Sequence, residues 1–583
     1  MAEDKLTNLQ NTDIKKNWRD VWYLAKSYWQ SEERTKAFFL LACIIGLTLG
    51  IVYVLVVFNG WYNSFYSALQ NYETDKIFDE LFRFSWLAAI YIILAVYSYY
   101  LQQTLILNWR RWLTTRFIDV WLRNKTYYHL QMFGSDTDNP DQRISEDVRL
   151  FVEMTLSFAI GILKAATTFG SFVMILYNLS GPLSFTFMGR DWTVNGYMLW
   201  ASLIYSVAGT YVTHLVGRKL VRLNFIQQRF EADFRFSMIR LRESAESVAF
   251  YRGEKQEGMV FKERFKLLLD NFWKLVNKQK QLVWLNSGYS QIAIIFPFVV
   301  AISRYLDKEI TLGGLMQVSS AFGNVQGALS YFADMYSSIA QWQAVVMRLT
   351  HFGRHMQEVA QAADQFHLER FATGVSLCAE NMEVRLPDGR VLLKDINLTL
   401  KPGSNVLIKG PSGSGKSTLL RAIAGIWPFV EGQINIPEMD KLMFIPQKPY
   451  IPLGTLRDAL LYPGTKQLTD EELAEHMEMC KIGYLKEQLD ATADWSHVLS
   501  VGEQQRLAFV RAHIQKPVWL FLDEATSALD EETEEAMYSL LASRLAATTV
   551  VSVGHRSTLN RFHSCLLRID PEARRVHVSG LVL

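Results

Sequence analysis

The chain has 583 residues, of which 60 are lysine or arginine and 58 are aspartate or glutamate, so its formal net charge at pH 7 is only +2. This near balance argues against a nucleic-acid partner, since proteins that bind nucleic acid usually carry a clear positive excess. The four scattered cysteines, Cys43, Cys378, Cys480 and Cys565, have neither metal-binding spacing nor a pairing pattern, which excludes a disulfide-rich scaffold and is typical of a reducing compartment.

The N-terminal 37 residues are polar, and they lack the short apolar core and small-residue cleavage site of a secretory signal peptide. Within them, Trp18–Trp29 contains three tryptophans and two tyrosines. Such amphipathic aromatic side chains prefer the boundary between lipid and water. The pattern therefore predicts an interfacial elbow helix before the first membrane span.

Six segments are predicted to cross a membrane, because about 20 apolar residues span a bilayer core. The third and fourth are weaker than the first two, since they contain Lys164 and His214. The fifth contains Pro297, which neighbouring helices can accommodate. The sixth is polar, rich in small residues and contains Asp334, so it is either a helix facing a bundle interior or a soluble amphipathic helix. The six segments are Phe38–Phe58, Ser85–Leu107, Thr155–Leu179, Asn195–Val216, Leu282–Ile302 and Leu312–Ala340.

Positive charge is concentrated in two of the connections between spans. The loop between the second and third spans is rich in arginine, and the long segment Arg218–Lys280 is strongly basic, whereas Glu73–Glu80 and Gly181–Tyr197 are poor in positive charge. Basic loops remain on the cytoplasmic side of a membrane, where they lie beside anionic lipid. Both termini and both basic segments are therefore predicted to be cytoplasmic, which agrees with an even number of spans.

This pattern predicts a transmembrane domain over residues 1–350, a mostly polar linker over 351–374 and a soluble domain over 375–583. The connections between spans two and three and between spans four and five are expected to continue into the cytoplasm as long helices. Their turns must touch the soluble domain if that domain is to drive movement in the membrane. Arg242–Gly253 is the best candidate for such a turn.

The soluble domain contains a phosphate-loop pattern, in which two glycines bracket four residues and a lysine and a serine follow. Such a loop turns backbone N–H groups toward phosphate oxygens, while its lysine reaches the β- and γ-phosphates and its serine can bind Mg²⁺. The strand-like run Asn405–Ile408 enters the loop and the helical run Thr418–Ala424 leaves it. This context favours a nucleoside triphosphate site over an ordinary glycine-rich turn. The loop comprises Gly410, Pro411, Ser412, Gly413, Ser414, Gly415, Lys416, Ser417 and Thr418.

Two acidic residues follow the apolar run Val518–Leu522, as expected where a central parallel strand delivers polar groups to the carboxyl edge of its sheet. Asp523 is predicted to hold Mg²⁺, directly or through water. Glu524 is predicted to orient the attacking water and remove its proton.

Gln447 and His555 also follow strand-like runs, Lys441–Pro446 and Thr548–Val553. Gln447 is suited to contact both the metal and the water, and His555 to contact the γ-phosphate and the water. A lone histidine after a strand would seldom have such a role, but here it completes an ordered set of motifs.

The segment Leu499–Arg506, which reads Leu-Ser-Val-Gly-Glu-Gln-Gln-Arg, resembles the signature of the ATP-binding-cassette (ABC) ATPases, and Ser527–Asp530 resembles their D-loop. The resemblance extends from about Val375 to the C-terminus. It implies that Ser500, Gly502 and Glu503 contact ATP held by the opposite subunit of a dimer. The expected fold is an all-α membrane domain of six transmembrane helices, like that of the type IV ABC exporters, joined to an α/β P-loop NTPase domain.

Three positions depart from the pattern of the family. The common signature has a second glycine at Val501 and a glutamine at Glu503, so altered turnover is expected. Leu386 stands where many relatives stack an aromatic ring on adenine. Aromatic stacking is worth around 1 kcal/mol, and its loss would loosen nucleotide selectivity.

The membrane half carries further resemblances. Arg242–Gly253 looks like the cytoplasmic EAA-like motif of the subfamily D half-transporters, best known as peroxisomal fatty-acyl transporters, and Pro446–Arg457 resembles their segment around the glutamine loop. Trp61–Gln70 and Asp138–Ile144 are similar to the SbmA/BacA-like bacterial peptide-uptake proteins, although Asn139-Pro140-Asp141 is also an ordinary turn. Together these resemblances imply a bacterial inner-membrane half-transporter that works as a homodimer with ATP and Mg²⁺.

The resemblance leaves several functions open. Relatives with this membrane half import antimicrobial peptides or, in fused forms, cobalamin, which favours import of a bulky hydrophilic or amphipathic solute. The alternatives are export of lipid or fatty-acyl compounds and a membrane-anchored regulatory ATPase, which would not need a polar sixth span. Lys164, His214 and Asp334 could contact the solute or pair with one another. The expected partners are a second copy of the chain, membrane lipid and the solute, and no nucleic acid.

Overall fold

The structure is a computed structural model that describes residues 14–133, 139–187, 190–364, 368–371, 375–464 and 466–580. The chain forms two compact units. The first contains the described residues up to Ile118 and those from 139 to Gly353. The second contains the described residues from Asp119 to Phe133 and those from Arg354 onward. Part of the connection between the second and third predicted spans therefore folds with the soluble domain.

Helices dominate the first unit. The short helix Ala245–Tyr251 joins two of the three longest helices, Tyr197–Glu243 and Glu254–Leu306. A π-helical turn, Arg143–Asp147, leads into the helix Val148–Ser180. Two strands, β1 (Pro182–Phe187) and β2 (Arg190–Asn195), pair in antiparallel fashion between that helix and Tyr197–Glu243. Apart from the single turn Pro140–Gln142, the α-helices in this part of the chain are α1 (Ile14–Trp29), α2 (Arg34–Gln70), α3 (Thr74–Leu122), α4 (Thr126–Phe133), α5 (Val148–Ser180), α6 (Tyr197–Glu243), α7 (Ala245–Tyr251), α8 (Glu254–Leu306), α9 (Leu312–Asp334) and α10 (Tyr336–Asp364).

Five helical segments in the described part of the chain are long and apolar enough to cross a membrane. Four of them contain the first, second, third and fifth predicted spans, and Tyr197–Glu243 contains all but the first two residues of the fourth, Asn195–Val216. The sixth predicted span falls on α9, which is not among these five, and the helix is interrupted at Met335, within that predicted span. The five segments are Arg34–Gln70, Thr74–Met132, Pro140–Ser180, Tyr197–Glu243 and Glu254–Leu306.

The long helical extensions predicted from the sequence are present. Helices α6 and α8 have 47 and 53 residues, far more than the roughly 20 that cross a bilayer. Pro297 lies inside α8 and is buried. The turn between these helices is α7, where the Phe250 and Tyr251 side chains are exposed.

The helices pack through an apolar cluster with some polar contacts. Helix α6 packs along α8, and α9 packs against α2, α5 and α6. Close approach between α2 and α9 requires a glycine, because a Cβ atom on Gly313 would lie 2.1 Å from the Asn63 carbonyl oxygen. Asn59 Nδ2 also donates a 2.9 Å hydrogen bond to the Gln317 carbonyl oxygen. The buried cluster includes Phe172, Leu176, Met198, Ala301, Leu315 and Val325.

Two sheets organise the second unit. The strands of this unit are β3 (Leu368–Phe371), β4 (Leu377–Arg385), β5 (Val391–Leu400), β6 (Val406–Lys409), β7 (Val430–Asn435), β8 (Leu442–Ile445), β9 (Gly454–Thr455), β10 (Thr492–Ala493), β11 (Trp519–Asp523), β12 (Thr549–Val553), β13 (Cys565–Asp570) and β14 (Arg575–Gly580). The larger sheet has the order β14-β13-β6-β12-β11-β8, and its strands are parallel except for β14. The smaller sheet has the order β3-β7-β4-β5.

Helices surround these sheets. They are α11 (Lys416–Ile423), α12 (Leu456–Leu461), α13 (Asp470–Met479), α14 (Trp495–Val498), α15 (Val501–Gln515) and α16 (Glu531–Arg544). Strand β11 has four buried apolar residues followed by an acid, the composition expected of a central parallel strand with both faces covered. The central sheet therefore supplies both the core of this unit and the edge at which its polar motifs lie.

The segment predicted as a linker has regular structure. Helix α10 continues through it as far as Asp364, and β3 pairs in parallel with β7 of the smaller sheet. Residues 365–367 and 372–374 of the predicted linker, and Asp138 of the motif Asp138–Ile144, lie outside the described residues.

Candidate nucleotide site

The polar motifs of the second unit follow four neighbouring parallel strands. The loop Gly410–Gly415 follows β6, Asp523 ends β11, Gln447 follows β8, and His555 follows β12. These strands are adjacent in the order β6-β12-β11-β8. Because the carboxyl ends of parallel strands share one edge of a sheet, all four motifs lie at that edge.

The phosphate loop has the backbone conformation that its glycines permit. Gly413 and Gly415 have φ values of 77° and 95°, in the left-handed region that residues with a Cβ atom avoid. Helix α11 begins at Lys416, directly after Gly415. The loop therefore ends at a helix N-terminus, where unpaired N–H groups attract an anion.

Two polar groups in this loop fit a bound phosphate. Lys416 Nζ donates to the carbonyl oxygens of Gly410 and Pro411, at 3.0 and 2.9 Å, so its ammonium group lies over the loop. The Ser414 hydroxyl is buried and has no hydrogen-bond partner among the described residues. A buried hydroxyl without a partner is costly, and a phosphate oxygen in the loop would supply the missing partner.

Ser417 and Asp523 form an oxygen pair beside the loop. Ser417 Oγ donates a 2.8 Å hydrogen bond to Asp523 Oδ1. Burial raises the pKa of the Asp523 carboxyl, although the hydrogen bond from Ser417 opposes this effect. Hydroxyl and carboxylate oxygens are the ligands that Mg²⁺ prefers, so this pair fits a magnesium ion.

Glu524, Gln447 and His555 converge next to this pair. Gln447 Nε2 donates to Glu524 Oε2 at 3.3 Å, and His555 Nε2 lies 3.5 Å from Glu524 Oε1. Glu524 has a φ of 49°, a conformation that a non-glycine residue keeps only where its surroundings impose it. Its backbone N–H donates to the Val553 carbonyl oxygen at 3.2 Å, which fixes the side chain at the sheet edge.

The signature segment forms the start of α15. Ser500 is its N-cap and forms a reciprocal capping box with Glu503. A Cβ atom on Gly502 would lie 3.2 Å from the Ala528 carbonyl oxygen, so a glycine is favoured where the helix approaches the D-loop. Within the described part of the chain, no hydrogen bond joins Ser500 or Glu503 to the phosphate loop.

Gln505 was not singled out from the sequence, although it connects three motifs. Its side chain is fully buried. Nε2 donates to the Gln447 carbonyl oxygen at 3.0 Å and to Ser527 Oγ at 3.2 Å, while Oε1 accepts from the Ala528 N–H at 3.1 Å. The signature helix, the residue after β8 and the D-loop are therefore held together by one amide. The only signal in the sequence was a glutamine inside a recognised motif.

A further contact involves the segment between the second and third spans, whose turn is expected from the sequence to touch the soluble domain. Lys125 Nζ lies 3.5 and 3.4 Å from the carbonyl oxygens of Ala424 and Gly425, just beyond the C-terminal end of α11. Asn124 and Lys125 have φ values of 50° and 58°, so the chain bends sharply there. A cation at a helix C-terminus is favourable, and Met132 of α4 packs against the core of the same unit.

The residues considered for contact with a solute are only partly described. Lys164 lies on α5 with its side chain exposed in the single chain. His214 and Asp334 lie on α6 and α9, and their side chains are outside the description.

Comparisons with known proteins agree with this architecture. Residues 24–306 match the family described as ABC transporter transmembrane region 2, and residues 393–527 match the family described as ABC transporter. An uncharacterized ABC transporter ATP-binding protein of Haemophilus influenzae is 37% identical over 546 residues, which cover 94% of this chain and 91% of that protein.

Two other relatives are similar over most of their length. The inner membrane ABC transporter ATP-binding protein YddA of Escherichia coli is 32% identical over 535 residues, covering 91% of this chain and 94% of YddA. ABC transporter D family member 2, chloroplastic, of Arabidopsis thaliana is 32% identical over 637 residues, covering 96% and 88%. Among solved structures, a bacterial Atm1-family ABC exporter with ATP bound matches with a TM-score of 0.70 and 16% identity, over 94% of this chain and 96% of that one. This last likeness shows the fold alone.

The fold and the site define a membrane protein with a fused P-loop ATPase. The chain belongs to the ABC transporter family and joins a transmembrane region and an ATP-binding region in one polypeptide. Its ATP-binding region is an ABC-type ATPase whose hydrolysis of ATP is coupled to transport. The predicted family and fold class are both confirmed, and the membrane domain has the type IV exporter fold.

Proposed function

We propose that the chain is a half-transporter that works as a homodimer in the bacterial inner membrane and imports a bulky hydrophilic or amphipathic solute, such as a peptide or a cobalamin-like compound. The observation that carries this proposal is that one chain holds one phosphate loop and one signature, and that no hydrogen bond among the described residues joins the loop to Ser500 or Glu503. Two copies related by a two-fold axis would complete two identical ATP sites. The apolar side chains of Val498, just before the signature, and of Val501, within it, are exposed, as expected of a surface that a second copy covers.

Within each ATP site, the loop Gly410–Thr418 binds the phosphates through its N–H groups, and Lys416 neutralises part of their charge. Ser417 and Asp523 would hold Mg²⁺, with Gln447 close to it. When bound, the ion offsets the negative charge that develops on the phosphate oxygens. Ser500, Gly502 and Glu503 face the ATP held by the other copy.

Glu524 is the general base for the attacking water. Its carboxylate is oriented by Gln447 and lies close to His555, the distances being 3.3 and 3.5 Å. The Glu524 side chain is 31% exposed, so water can reach it. His555 then lies where it can contact both that water and the terminal phosphate.

The cellular setting follows from charge and from similarity. The basic segments Arg218–Lys280 and the loop after the second span favour a cytoplasmic position for the ATPase and both termini. The full name of YddA places that relative in the inner membrane, which supports the same membrane here. Lipid surrounds the spans, where helix α3 carries many exposed apolar side chains, among them Ile92, Ile93, Val96 and Tyr97.

Two buried polar groups without a partner support solute transport over a purely regulatory ATPase. Along the contact of α2 with α9, the Asn59 Oδ1 and Gln317 Oε1 atoms are buried and have no hydrogen-bond partner among the described residues. Unsatisfied polar groups inside a membrane domain commonly mark a substrate pathway. Export of lipid or fatty-acyl compounds is the second candidate, which the 32% identity with the D family member of Arabidopsis favours.

Flux measurements in proteoliposomes would test the proposal and its direction. ATP added outside energises only those molecules whose ATPase faces outward. Import, which moves solute toward the ATPase, would then empty vesicles preloaded with a labelled cationic peptide or cobalamin, whereas export would fill empty ones with acyl-CoA. ATP-dependent loss of peptide or cobalamin, absent in the Glu524→Gln variant, is the expected result. ATP-dependent filling, or hydrolysis without flux of any of the three solutes, would contradict import.

A further inference from the structure

The carboxylate of Glu503 is surrounded by hydrogen-bond donors. Its Oε2 atom accepts from the Ser500 N–H at 2.8 Å and from the Ser500 hydroxyl at 2.7 Å. Its Oε1 atom accepts from the hydroxyl of Tyr484. Tyr484 lies outside the signature, on the 3-10 turn Gly483–Gln488, and its side chain is 60% exposed.

These contacts keep the carboxylate ionised. Burial raises the pKa of Glu503, but the hydrogen bonds from Tyr484 and Ser500, aided by the charge of Arg506, outweigh burial and leave the pKa below its ordinary value. A full negative charge therefore lies at the N-terminal end of α15. Most ABC signatures have a neutral glutamine at this position.

This arrangement has a consequence for Ser500. A serine hydroxyl has one proton to donate, and here that proton is given to Glu503. In the composite site, Ser500 must donate to a phosphate oxygen of the ATP held by the other copy. The hydroxyl then has to leave Glu503, and the carboxylate loses one of its three donors as a triphosphate of the same sign approaches.

We propose that Tyr484 is a positioning residue for the ATP site of the opposite copy, because its hydroxyl holds the Glu503 carboxylate against α15 while Ser500 turns toward the phosphate. Together, Tyr484 and Glu503 set the ATP concentration at which the two copies close around the nucleotide. Tyr484 lowers this concentration, and the charge of Glu503 raises it. This proposal rests on the composite ATP site described under Proposed function.

The two residues have opposite effects when changed. In Tyr484→Phe, the Glu503 carboxylate holds its hydrogen bond from the Ser500 hydroxyl more firmly. It also moves more freely toward the phosphates, so the KM for ATP should rise. In Glu503→Gln, the negative charge is lost and the Ser500 hydroxyl is freer to donate to the phosphate, so the KM for ATP should fall. Once the charge is gone, Tyr484 has nothing left to restrain, and adding Tyr484→Phe should have little further effect.

A double-mutant cycle on full-length protein in lipid nanodiscs tests this, with ATPase rate measured against ATP concentration. Tyr484→Phe should raise the KM for ATP about three- to tenfold and change kcat less than about twofold. A three- to tenfold change corresponds to a free energy within the range of coupling energies between contacting residues. Glu503→Gln should lower the KM by about threefold, and the double variant should match Glu503→Gln within about 1.5-fold. A purely structural role for Tyr484 would instead give the same change in both backgrounds.

A second capping box offers a matched control. At the start of α13, the Thr469 N–H donates to Glu472 Oε2 at 2.8 Å, and the Glu472 N–H donates to Thr469 Oγ1 at 3.3 Å. Glu472→Gln changes the same chemistry away from the site and should leave the KM unaltered. A fall in KM equal to that of Glu503→Gln would overturn the proposal, as would equal effects of Tyr484→Phe in both backgrounds. If Glu524→Gln, made in the otherwise wild-type chain, hydrolysed ATP normally, the proposed ATP site itself would be wrong.

Discussion

The Ser417 hydroxyl donates a 2.8 Å hydrogen bond to the carboxylate of Asp523, a residue 106 positions further along the chain. Helix α11 presents the serine in its first turn, and β11 ends at the aspartate. Strand β12 lies between β6 and β11 and is parallel to both, so the strand order places the two residues at the same edge of the sheet. The pair is therefore a product of the topology, which brings two oxygen atoms from distant parts of the chain together.

Asp523→Asn should weaken the response to magnesium. The substitution removes one negative charge and one acceptor from the pair with Ser417. We expect the Mg²⁺ concentration for half-maximal hydrolysis to rise by about 10- to 100-fold, the usual effect of altering a metal ligand or its neighbour. The measurement is ATPase rate during a Mg²⁺ titration at fixed ATP. An unchanged titration curve would remove Asp523 from the metal site.

Glu524→Gln should bind ATP but fail to hydrolyse it. The amide keeps the shape of the side chain and cannot accept the proton of water, so hydrolysis should fall at least ~100-fold, the contribution of a positioned general base. ATP binding should persist and the closed dimer should accumulate, as measured by nucleotide retention and by size. Glu572 is exposed, so Glu572→Gln is the control and should hydrolyse ATP at the normal rate. Near-normal hydrolysis by Glu524→Gln would rule out this role.

Lys125→Ala should separate hydrolysis from transport. Helix α3 is continuous to Leu122, and Lys125 follows it and contacts the carbonyl groups beyond α11. A cation at a helix end contributes roughly 0.3–1 kcal/mol, so basal hydrolysis should change by no more than a few-fold. Transport per ATP in proteoliposomes should drop, and Lys125→Arg should restore part of it. An unaltered ratio would show that this contact carries no coupling.

Acid should destabilise the ATP-binding unit through His563. The ring is buried, with Nδ1 2.7 Å from the Leu559 carbonyl oxygen and Nε2 2.9 Å from Ser552 Oγ. A carbonyl oxygen only accepts, so Nδ1 carries the proton and Nε2 accepts from Ser552. Burial lowers the pKa of His563 below its ordinary value of 6.5.

The direction in which pH changes the stability follows from the different pKa of His563 in the folded and unfolded chains. Below pH 6.5 the unfolded chain takes up a proton at His563 that the folded chain resists, so stability falls as the pH decreases below that value. His563→Asn should lower the thermal stability at pH 7.5 but make its decline between pH 6.5 and 5 shallower. The exposed His497, changed to asparagine, should leave the slope intact. Equal slopes for wild type and His563→Asn would contradict this account.

Much of the local structure at the candidate ATP site could be predicted from the sequence because its motifs are local. The strand before the phosphate loop was expected at Asn405–Ile408 and lies at Val406–Lys409. The run before Asp523 was expected to be a buried strand, and it is. In each case, a short apolar run followed by glycine or acid encodes both the strand and its polar end.

Other features depend on contacts between distant segments and left little trace in the sequence. Gln505, Tyr484 and Lys125 are ordinary polar residues until the fold brings them to Gln447, Glu503 and the end of α11. The polar composition of 351–364 suggested a linker, yet α10 continues through it, since a helix with one apolar face can also be largely polar. The break at Met335 was missed for a similar reason, because no proline or charge run marks it.

Mixed dimers test the central claim most directly. A Lys416→Ala chain lacks the phosphate-loop lysine, and a Ser500→Arg chain lacks a working signature. In a two-fold dimer of one of each, one composite site carries both lesions and the other carries neither. With the two chains purified through different tags, the account predicts that these heterodimers hydrolyse ATP at a clear fraction of the wild-type rate, while both mutant homodimers are nearly inactive. Heterodimers as inactive as the homodimers, or full activity from monomers regardless of concentration, would contradict it.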